Sequence, residues 1–378
     1  MPYSFYRDVQ LYGLAFAILI LGVAFELLSH GLFLSNINMS NLGRQVAILG
    51  VAASGVSVVI IMGEFDLSIG GATVLVSSIV GALLMVYNQP GWLALPLGLV
   101  ISLMIGLAQG YMVTVLARSG FRVASFIVTL AGMLAYPALA LLVLPQAAAP
   151  LPDWFEQVGP GYFGPPAAPI VVVAVAVVSI ALLLREIIRG RRSLRSVLPA
   201  ILFVALLAPP LFQLANSFGL PVLLIICLVW AAFIEILTQM TVFGRHAYAV
   251  GGNRASARLL GVNMGRTTMM GFLLMGVVYW LCGMLTLARL DGASPLPDTN
   301  FVLQAIAAAA IGGVSLVGGR GRPYNSLLGA LLIVGITNGL NLLNVPSLAQ
   351  SIVTAVVLVI AVTFDVTVRN RANQLALM

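Results

Sequence analysis

Long apolar segments alternate with short polar connections along almost the whole chain. Several of these segments reach the roughly 20 residues that a helix needs to cross about 30 Å of hydrocarbon. The pattern therefore predicts an all-α integral membrane protein with about 12 spans, or with 10 spans plus broken or re-entrant helices, in a single polytopic domain over residues 1–378. The predicted spans are Leu11–Leu28, Val46–Met62, Gly71–Tyr87, Leu93–Leu116, Ala124–Leu144, Pro169–Leu184, Val197–Ala215, Leu220–Met240, Met270–Ala288, Val302–Val317, Leu327–Leu343 and Ser351–Val368.

Two glycine-rich stretches, residues 63–71 and 310–319, interrupt this apolar pattern. A break in a membrane helix is tolerated only where protein or a watery cavity satisfies the freed backbone groups. The first stretch carries Glu64, Asp66 and Ser68, and charges at membrane depth are costly and often functional. A structural role competes, in which Asp66 or Ser68 caps the following helix and Glu64 pairs with a loop arginine.

Asn338 and Asn341 lie on one face of a predicted span. Hydrogen bonding between helices is the simpler interpretation of such residues, and the alternative is that they line a solute path.

The two interrupted regions also resemble each other in their letters. GVSVV at residues 55–59 is followed by GALL at 81–84, and GVSLV at 313–317 is followed by GALL at 329–332. Apolar low complexity produces such matches easily. If the duplication is real, both copies run in the same direction, which predicts a parallel internal repeat.

Composition agrees with a membrane protein, because 61% of the residues are hydrophobic and only 8% are charged, against about 25% in soluble domains. All 18 basic residues are arginine. The absence of lysine excludes a Walker A loop, whose lysine reaches the nucleotide phosphates, and Schiff-base chemistry. No cofactor bound by this chain is predicted. The net charge of +7 is attributed to cytoplasmic loops and not to nucleic-acid binding.

The distribution of arginine predicts the orientation. With the N-terminus inside, 16 of the 18 arginines fall on the inner side and only Arg44 and Arg289 on the outer side. Both termini are then cytoplasmic, as are an arginine-rich loop at residues 185–196 and a longer loop at 241–269. A loop at 145–168 with six prolines is periplasmic. Arg44 and Arg289 either snorkel to the interface or dock an external protein.

The inner loop at 241–269 has further local features. Turn residues Gly251, Gly252 and Asn253 precede a short amphipathic segment from Arg254 to Leu260, which Gly261 ends. A small cationic helix on the cytoplasmic face suits docking to another protein, whereas the alternative is a solvated positive loop.

Three stretches carry a specific resemblance. EFDLSIGG, GRHAYAVGGNRASARLLGVN and AIAAAAIGGVSLVGGRGR resemble signature stretches of the permease subunits of monosaccharide ABC importers of the ribose/xylose/galactose type. Within that family, SFIVTLAGMLAY, FGLPV and the extra span pair around Arg185–Arg195 are most similar to D-xylose permeases. The resemblance covers residues 34–365; Phe65 departs from it, standing where the family usually has isoleucine.

The resemblance implies a subunit of the bacterial inner membrane that is not itself an enzyme. Such permeases pair as a homodimer in the lipid bilayer, receive sugar from a periplasmic binding protein, and are driven by separate cytoplasmic ATPase subunits that use ATP and Mg²⁺. By analogy, the stretch from Arg245 to Gly261 is the segment gripped by the ATPase. Gly251, Gly252 and Gly261 would set its shape, with Asn253 in the turn, and Arg254 and Arg258 would contact the ATPase.

Three other functions stay open. A secondary transporter driven by an ion gradient would suit twelve spans, but no ionisable residue is centred in a span. A membrane enzyme would need a catalytic cluster, which is not evident. ABC permeases for nucleosides or branched-chain amino acids share the architecture. No predicted span carries a cluster of aromatic and carboxylate side chains, so weak sugar selectivity of the permease itself is predicted.

Overall fold

A computed structural model describes residues 3–118, 124–148, 150–156, 159, 161–189, 194–296, 298, 300–356, 359 and 363. Helices dominate this part of the chain. They are α1 (Tyr3–Leu28), α2 (Asn36–Ile61), α3 (Ile69–Gly81, continued by a π-helical turn, Ala82–Val86), α4 (Gly91–Arg118), α5 (Ala124–Val143), α6 (Asp153–Glu156), α7 (Ala167–Ile188), α8 (Leu194–Ser217), α9 (Val222–Met240), α10 (Val242–Gly252), α11 (Arg254–Leu259), α12 (Met264–Leu290), α13 (Phe301–Ile311), α14 (Ser326–Leu342) and α15 (Ser347–Val356).

Within the described residues, seven helical segments are long and apolar enough to cross a membrane. These segments lie in α2, α3, α4, α5, α9, α12 and α14. Shorter apolar helices occur at Gly13–Leu28, Ala167–Ala181, Phe301–Ile311 and Ser347–Val356. The predicted class is thus confirmed, whereas the predicted count of twelve spans is not. Most of the last predicted span beyond Val356 lies outside the described residues, as do residues 190–193 of the arginine-rich loop.

The predicted span Val302–Val317 is wrong in its second half. Helix α13 ends at Ile311, and Gly313 follows with a φ of +89°, a left-handed conformation that ends a helix. Eleven residues at about 1.5 Å each give roughly 16 Å, about half of the hydrocarbon thickness. A glycine-rich loop, residues 312–322, connects α13 through a 3₁₀ turn to α14.

Helix α2 is the centre of the fold, and it packs against α9, α12, α13 and α14. Small residues allow these close approaches. A methyl group placed on Gly55 would lie 2.4 Å from Val278 of α12, and one on Gly50 would lie 2.7 Å from Leu327. Glycine at helix contacts is typical of membrane proteins, where packing replaces the hydrophobic effect as the force between helices.

Helices α2 and α13 both run towards the same end of the molecule, and α3 and α14 both run away from it. This end is identified by a backbone hydrogen bond of 2.8 Å from Gly319 N to Ile61 O, which joins the loop after α13 to the last residue of α2. The two helix pairs therefore have the same direction, as a parallel repeat requires. The matched letters, however, do not occupy equivalent places. Gly55–Val59 lies inside α2, whereas Gly313–Val317 lies in a loop. The match between their letters is therefore attributed to the low complexity of apolar segments.

The opposite end carries the proline-rich residues 145–168. Part of this segment folds back onto the helices: Tyr162–Phe163 (β1) pairs antiparallel with Leu220–Pro221 (β2), and Ala148 bridges to Ala293. Phe155 is buried, whereas Trp154 is exposed. At the periphery, α7 and α8 pack mainly against each other and form a small separate core.

Candidate functional site

Residues 241–269, called the coupling segment below, form two helices and the start of a third. Thr241 caps α10 by accepting a 3.3 Å hydrogen bond from Gly244 N, and Asn253 caps α11 by accepting one of 3.0 Å from Ser256 N. The predicted turn at residues 251–253 is wrong for its two glycines, which are the last residues of α10; only Asn253 leaves the helix. The predicted short segment is confirmed as α11, and Gly261 follows with a φ of +80°.

The outer face of the coupling segment is both cationic and apolar. Arg245 and Arg258 are exposed. Leu259 and Leu260 are 89% and 81% exposed, while Ala257 holds α11 against the rest of the protein. Two adjacent leucines without cover beside arginines are typical of a protein contact surface.

The inner face of the coupling segment meets the two helix breaks in a direct contact of backbone with backbone. Gly63, Gly251, Gly318 and Gly319 form this contact, called the glycine junction below. A methyl group on Gly251 would lie 1.7 Å from Ile61 O and 2.7 Å from Gly319 N; one on Gly318 would lie 3.0 Å from the Gly63 Cα. Gly63, Gly318 and Gly319 also have positive φ values of 76°, 95° and 71°. Only glycine combines this proximity with these conformations.

Side chains reinforce the contact around the glycine junction. The hydroxyl of Tyr248 on α10 donates a 2.7 Å hydrogen bond to Gly321 O and accepts one of 2.9 Å from Gln239 Nε2. Burial raises the pKa of this phenol, against the hydrogen bond from Gln239, so it stays a proton donor at neutral pH. Arg322 also lies 3.7 Å from the carboxylate of Glu235 on α9. The coupling segment and the loop at 312–322 are thus held together.

Glu64, in the break between α2 and α3, forms an ion pair with Arg254 at the start of α11. The glutamate side chain is 5% exposed and the arginine side chain 38%. The same guanidinium donates to Gly63 O at 3.4 Å. The structural interpretation of Glu64 as the partner of a loop arginine is therefore confirmed. Arg254 is engaged within the chain, unlike Arg258, which faces outwards.

Asp66 and Ser68 do not cap α3 with their side chains. Asp66 Oδ1 instead accepts hydrogen bonds from Ser68 N at 2.8 Å and from Ser68 Oγ at 2.6 Å, and its other oxygen accepts one from Tyr279. Gln109 completes this fully buried network, donating to Ser68 Oγ at 2.7 Å. The capping prediction is wrong because the carboxylate bonds the residue that enters α3 and none of its first-turn amides. The network joins the break to α4 and α12.

A cavity of about 710 Å³ lies beyond this break, between α2, α3, α12, α13, α14 and α15. Gly70, Thr73 and Ser77 of α3 line it, at the i, i+3 and i+7 spacing of one helix face. Asn341 of α14 lines it as well. The volume falls within the roughly 300–1,000 Å³ range of small-molecule sites. Both helices that leave the glycine junction, α3 and α14, are therefore walls of the cavity.

The two asparagines predicted to share a face of α14 have different roles. Asn338 is buried and exchanges two amide hydrogen bonds, of 2.9 and 3.0 Å, with Asn38 of α2. Asn341 faces the cavity and accepts a 2.8 Å hydrogen bond from Gln350. The interpretation as an interhelical hydrogen bond is confirmed for Asn338, whereas the role of Asn341 in a solute path stays a prediction.

The two arginines predicted to lie on the outer side, Arg44 and Arg289, are at the end opposite the glycine junction. The Arg44 guanidinium sits 5.0 Å from the ring centroid of Tyr162, a cation–π contact. Arg289, near the end of α12, lines the cavity together with Asp298. Arg289 is therefore a residue of the cavity wall as well as of this end.

Sequence reasoning missed Thr73, Gln304, Gln109 and Tyr279. The first two line the cavity; Tyr279 donates to Asp66, and Gln109 donates to Ser68 in the same network. Isolated polar residues in apolar segments do not reveal their partners. The spacing of Thr73 and Ser77 on one face of α3 was the available signal.

Long apolar helices around a cavity with several polar side chains in its wall are typical of a multi-pass membrane protein. The chain belongs to the family described as "Branched-chain amino acid transport system / permease component", which matches residues 38–362. It is 32% identical over 367 residues to the xylose transport system permease protein XylH of Haemophilus influenzae, covering 95% of this chain and 96% of the relative. It is 33% identical to XylH of Escherichia coli K12, covering 97% and 94%. The ribose import permease protein RbsC of Bacillus subtilis is 31% identical, covering 88% and 86%.

No solved structure matches the chain. The resemblance carried by the three signature stretches is confirmed by these relatives, which are permease components and not enzymes.

Proposed function

We propose that this chain is the membrane-spanning permease subunit of an ATP-driven monosaccharide importer, for D-xylose or a similar pentose. Its full-length similarity to xylose permeases, and then to a ribose permease, supports the substrate class. The chain forms the translocation path, and separate subunits hydrolyse ATP with Mg²⁺. It binds no cofactor itself.

The observation that carries this proposal is the glycine junction. The coupling segment rests by backbone on the end of α2, at the break that leads into α3, and on the loop before α14; both α3 and α14 line the cavity. A push on α10 and α11 from the cytoplasm is therefore passed directly to two walls of the path, because packed backbone has no soft side chain to absorb the displacement.

The exposed face of the coupling segment is the proposed contact with the ATPase subunit. Arg245 and Arg258 supply charge, and Leu259 and Leu260 supply apolar area that would be buried in a cleft. Arg254 acts from behind this face by tying α11 to Glu64.

The remaining partners follow from the same assignment. The protein lies in the bacterial inner membrane with both termini in the cytoplasm, which places nearly all arginines inside. A periplasmic sugar-binding protein docks at the opposite end, where Arg44 and Arg289 lie. Two copies of the permease form the working dimer, and nucleic acid is not a partner.

The test uses two adjacent glycines as a matched pair. Gly251→Ala inserts a methyl group into the glycine junction, whereas the same change at Gly252 meets nothing within 4 Å. The complex with ATPase subunits and binding protein is reconstituted in liposomes, and ATP-dependent D-xylose uptake is measured. We expect uptake to fall strongly for Gly251→Ala and to stay near wild type for Gly252→Ala.

Assembly of the complex and its basal ATP hydrolysis are measured in parallel, to separate lost transmission from lost folding. Equal uptake by both variants would refute transmission through the glycine junction. Accumulation of sugar by the wild-type permease alone, without nucleotide, would instead favour the ion-driven alternative.

A further inference from the structure

We propose that the cavity between α2, α3, α12, α13, α14 and α15 is a binding chamber that holds one neutral monosaccharide and contributes its own selectivity. This inference rests on the proposed function and extends it, because the permease then recognises the sugar instead of only letting it pass. It also reverses the prediction of weak selectivity, which depended on inspecting the spans one at a time.

The hydroxyl groups of the wall are arranged to accept hydrogen bonds. Thr286 donates to Cys282 O at 2.8 Å, Ser77 to Val74 O at 2.9 Å and Thr354 to Gln350 O at 2.8 Å, each within its own helix. A hydroxyl has one proton, so these groups can offer a ligand only their lone pairs. A ligand that fits must bring several O–H donors of its own, as a sugar does.

Thr73 is the strongest single indication of a missing partner. Thr73 is 5% exposed and lines the cavity, yet its hydroxyl has no hydrogen-bond partner. Most buried side-chain polar atoms in folded proteins have one.

Amide groups complete the wall and can both donate and accept. Gln45 of α2 and Gln304 of α13 line the cavity, and the structure gives neither side chain a hydrogen-bond partner within the described part of the chain. They lie on different helices, so a ligand bridging them would also link α2 to α13. Such groups give direction and specificity to a polar ligand.

The charged and aromatic residues of the cavity wall indicate which class of ligand fits it. Arg289 and Asp298 are the charged residues among those that line the cavity, and their charges cancel. A neutral ligand is therefore favoured over an ion. Phe301 is the aromatic residue among them, which can cover the C–H face of one sugar ring but cannot sandwich a nucleobase. A neutral ligand with one ring and several hydroxyl groups is a monosaccharide.

The experiment measures binding to the permease without its partners. The purified full-length chain in lipid nanodiscs is titrated by calorimetry with D-xylose, L-arabinose, D-ribose and D-galactose, and with leucine and adenosine. We expect saturable binding of at least one sugar and none of leucine or adenosine. Thr73→Val, which removes the hydroxyl at nearly constant volume, and Gln304→Leu should each weaken binding about tenfold, or about 1.4 kcal/mol.

Thr238→Val serves as the matched control. Thr238 is also a buried helix threonine, but it donates to Ile234 O in α9 and does not line the cavity. Thermal unfolding of every variant checks the fold, and if Thr73→Val does not fold, Gln304→Leu alone carries the test.

Absence of saturable sugar binding by the wild type, preferred binding of leucine or adenosine, or unchanged binding by the cavity variants would overturn the chamber. ATP-driven uptake by the complete transporter is measured on the same preparations. Uptake without binding would leave the proposed function intact and remove the chamber, whereas sugar binding without ATP-driven uptake would remove the proposed function instead.

Discussion

The ion pair between Glu64 and Arg254 offers a prediction in which the two partners behave differently. The carboxylate is 5% exposed, and the guanidinium is 38% exposed. Removing Arg254 as Arg254→Met leaves a buried charge without its partner. Removing the charge of Glu64 as Glu64→Gln leaves an arginine that can still reach water.

The magnitude follows from this asymmetry. Truncating one partner of a fully buried pair costs about 3–5 kcal/mol. Because more than a third of Arg254 is in contact with solvent, screening reduces this, and we expect Arg254→Met to destabilise by about 2 kcal/mol. For Glu64→Gln we expect about 1 kcal/mol or less, since the neutral amide can still accept a hydrogen bond. The double variant should be more stable than Arg254→Met alone, by about 1 kcal/mol.

Unfolding of the purified protein in mixed detergent micelles, followed by circular dichroism, measures these differences for the four proteins of the cycle. ATP-driven uptake is measured on the assembled complex, because the pair ties α11 to the break before α3. Equal losses for both single variants, or a double variant that is only additive, would refute the reasoning from unequal burial.

Three further outcomes are expected. Asn38→Leu or Asn338→Leu should each destabilise by about 1 kcal/mol, because each removes both amide hydrogen bonds between α2 and α14 and leaves the other amide without them; the double change should recover part of the loss, as measured by detergent unfolding. Leu259→Asp, at an 89% exposed position, should leave unfolding unchanged but weaken co-purification of the ATPase subunit; unchanged co-purification would remove this face from the contact. Arg44→Glu should weaken salt-sensitive association of the periplasmic binding protein, measured by surface plasmon resonance, and equal affinity would remove its docking role.

The two breaks in the membrane helices were predictable from sequence, because glycine pairs with nearby polar residues cannot form a uniform lipid-facing helix. What the breaks do was not predictable. Gly251 looked like part of a turn, yet it is helical and is required because another segment lies against it. From sequence alone, a glycine required because another backbone segment lies against it cannot be distinguished from one required for a left-handed turn, such as Gly261.

The polar residues illustrate the same limit. Asn338 and Asn341 are three residues apart on one helix, and only the neighbouring helices decide that one pairs with Asn38 and the other meets the cavity. Similarly, Thr73 faces a cavity whose other walls include residues of α2, α12, α13 and α14, and the sequence around Thr73 does not show this. The hydrophobic period and the charge distribution predict which segments lie in lipid and which face water, but they contain no information on which helices are adjacent.

Because the glycine junction lies in the break just before α3, a displacement there would tilt that helix about its first residues. Its 18 residues, Ile69–Val86, are about 27 Å long, so a tilt of about 5° around the base moves the far end by about 2 Å while the base hardly shifts. A small stroke delivered by the ATPase would therefore be amplified with distance from the cytoplasm. The periplasmic mouth of the path would widen or narrow well before its floor does.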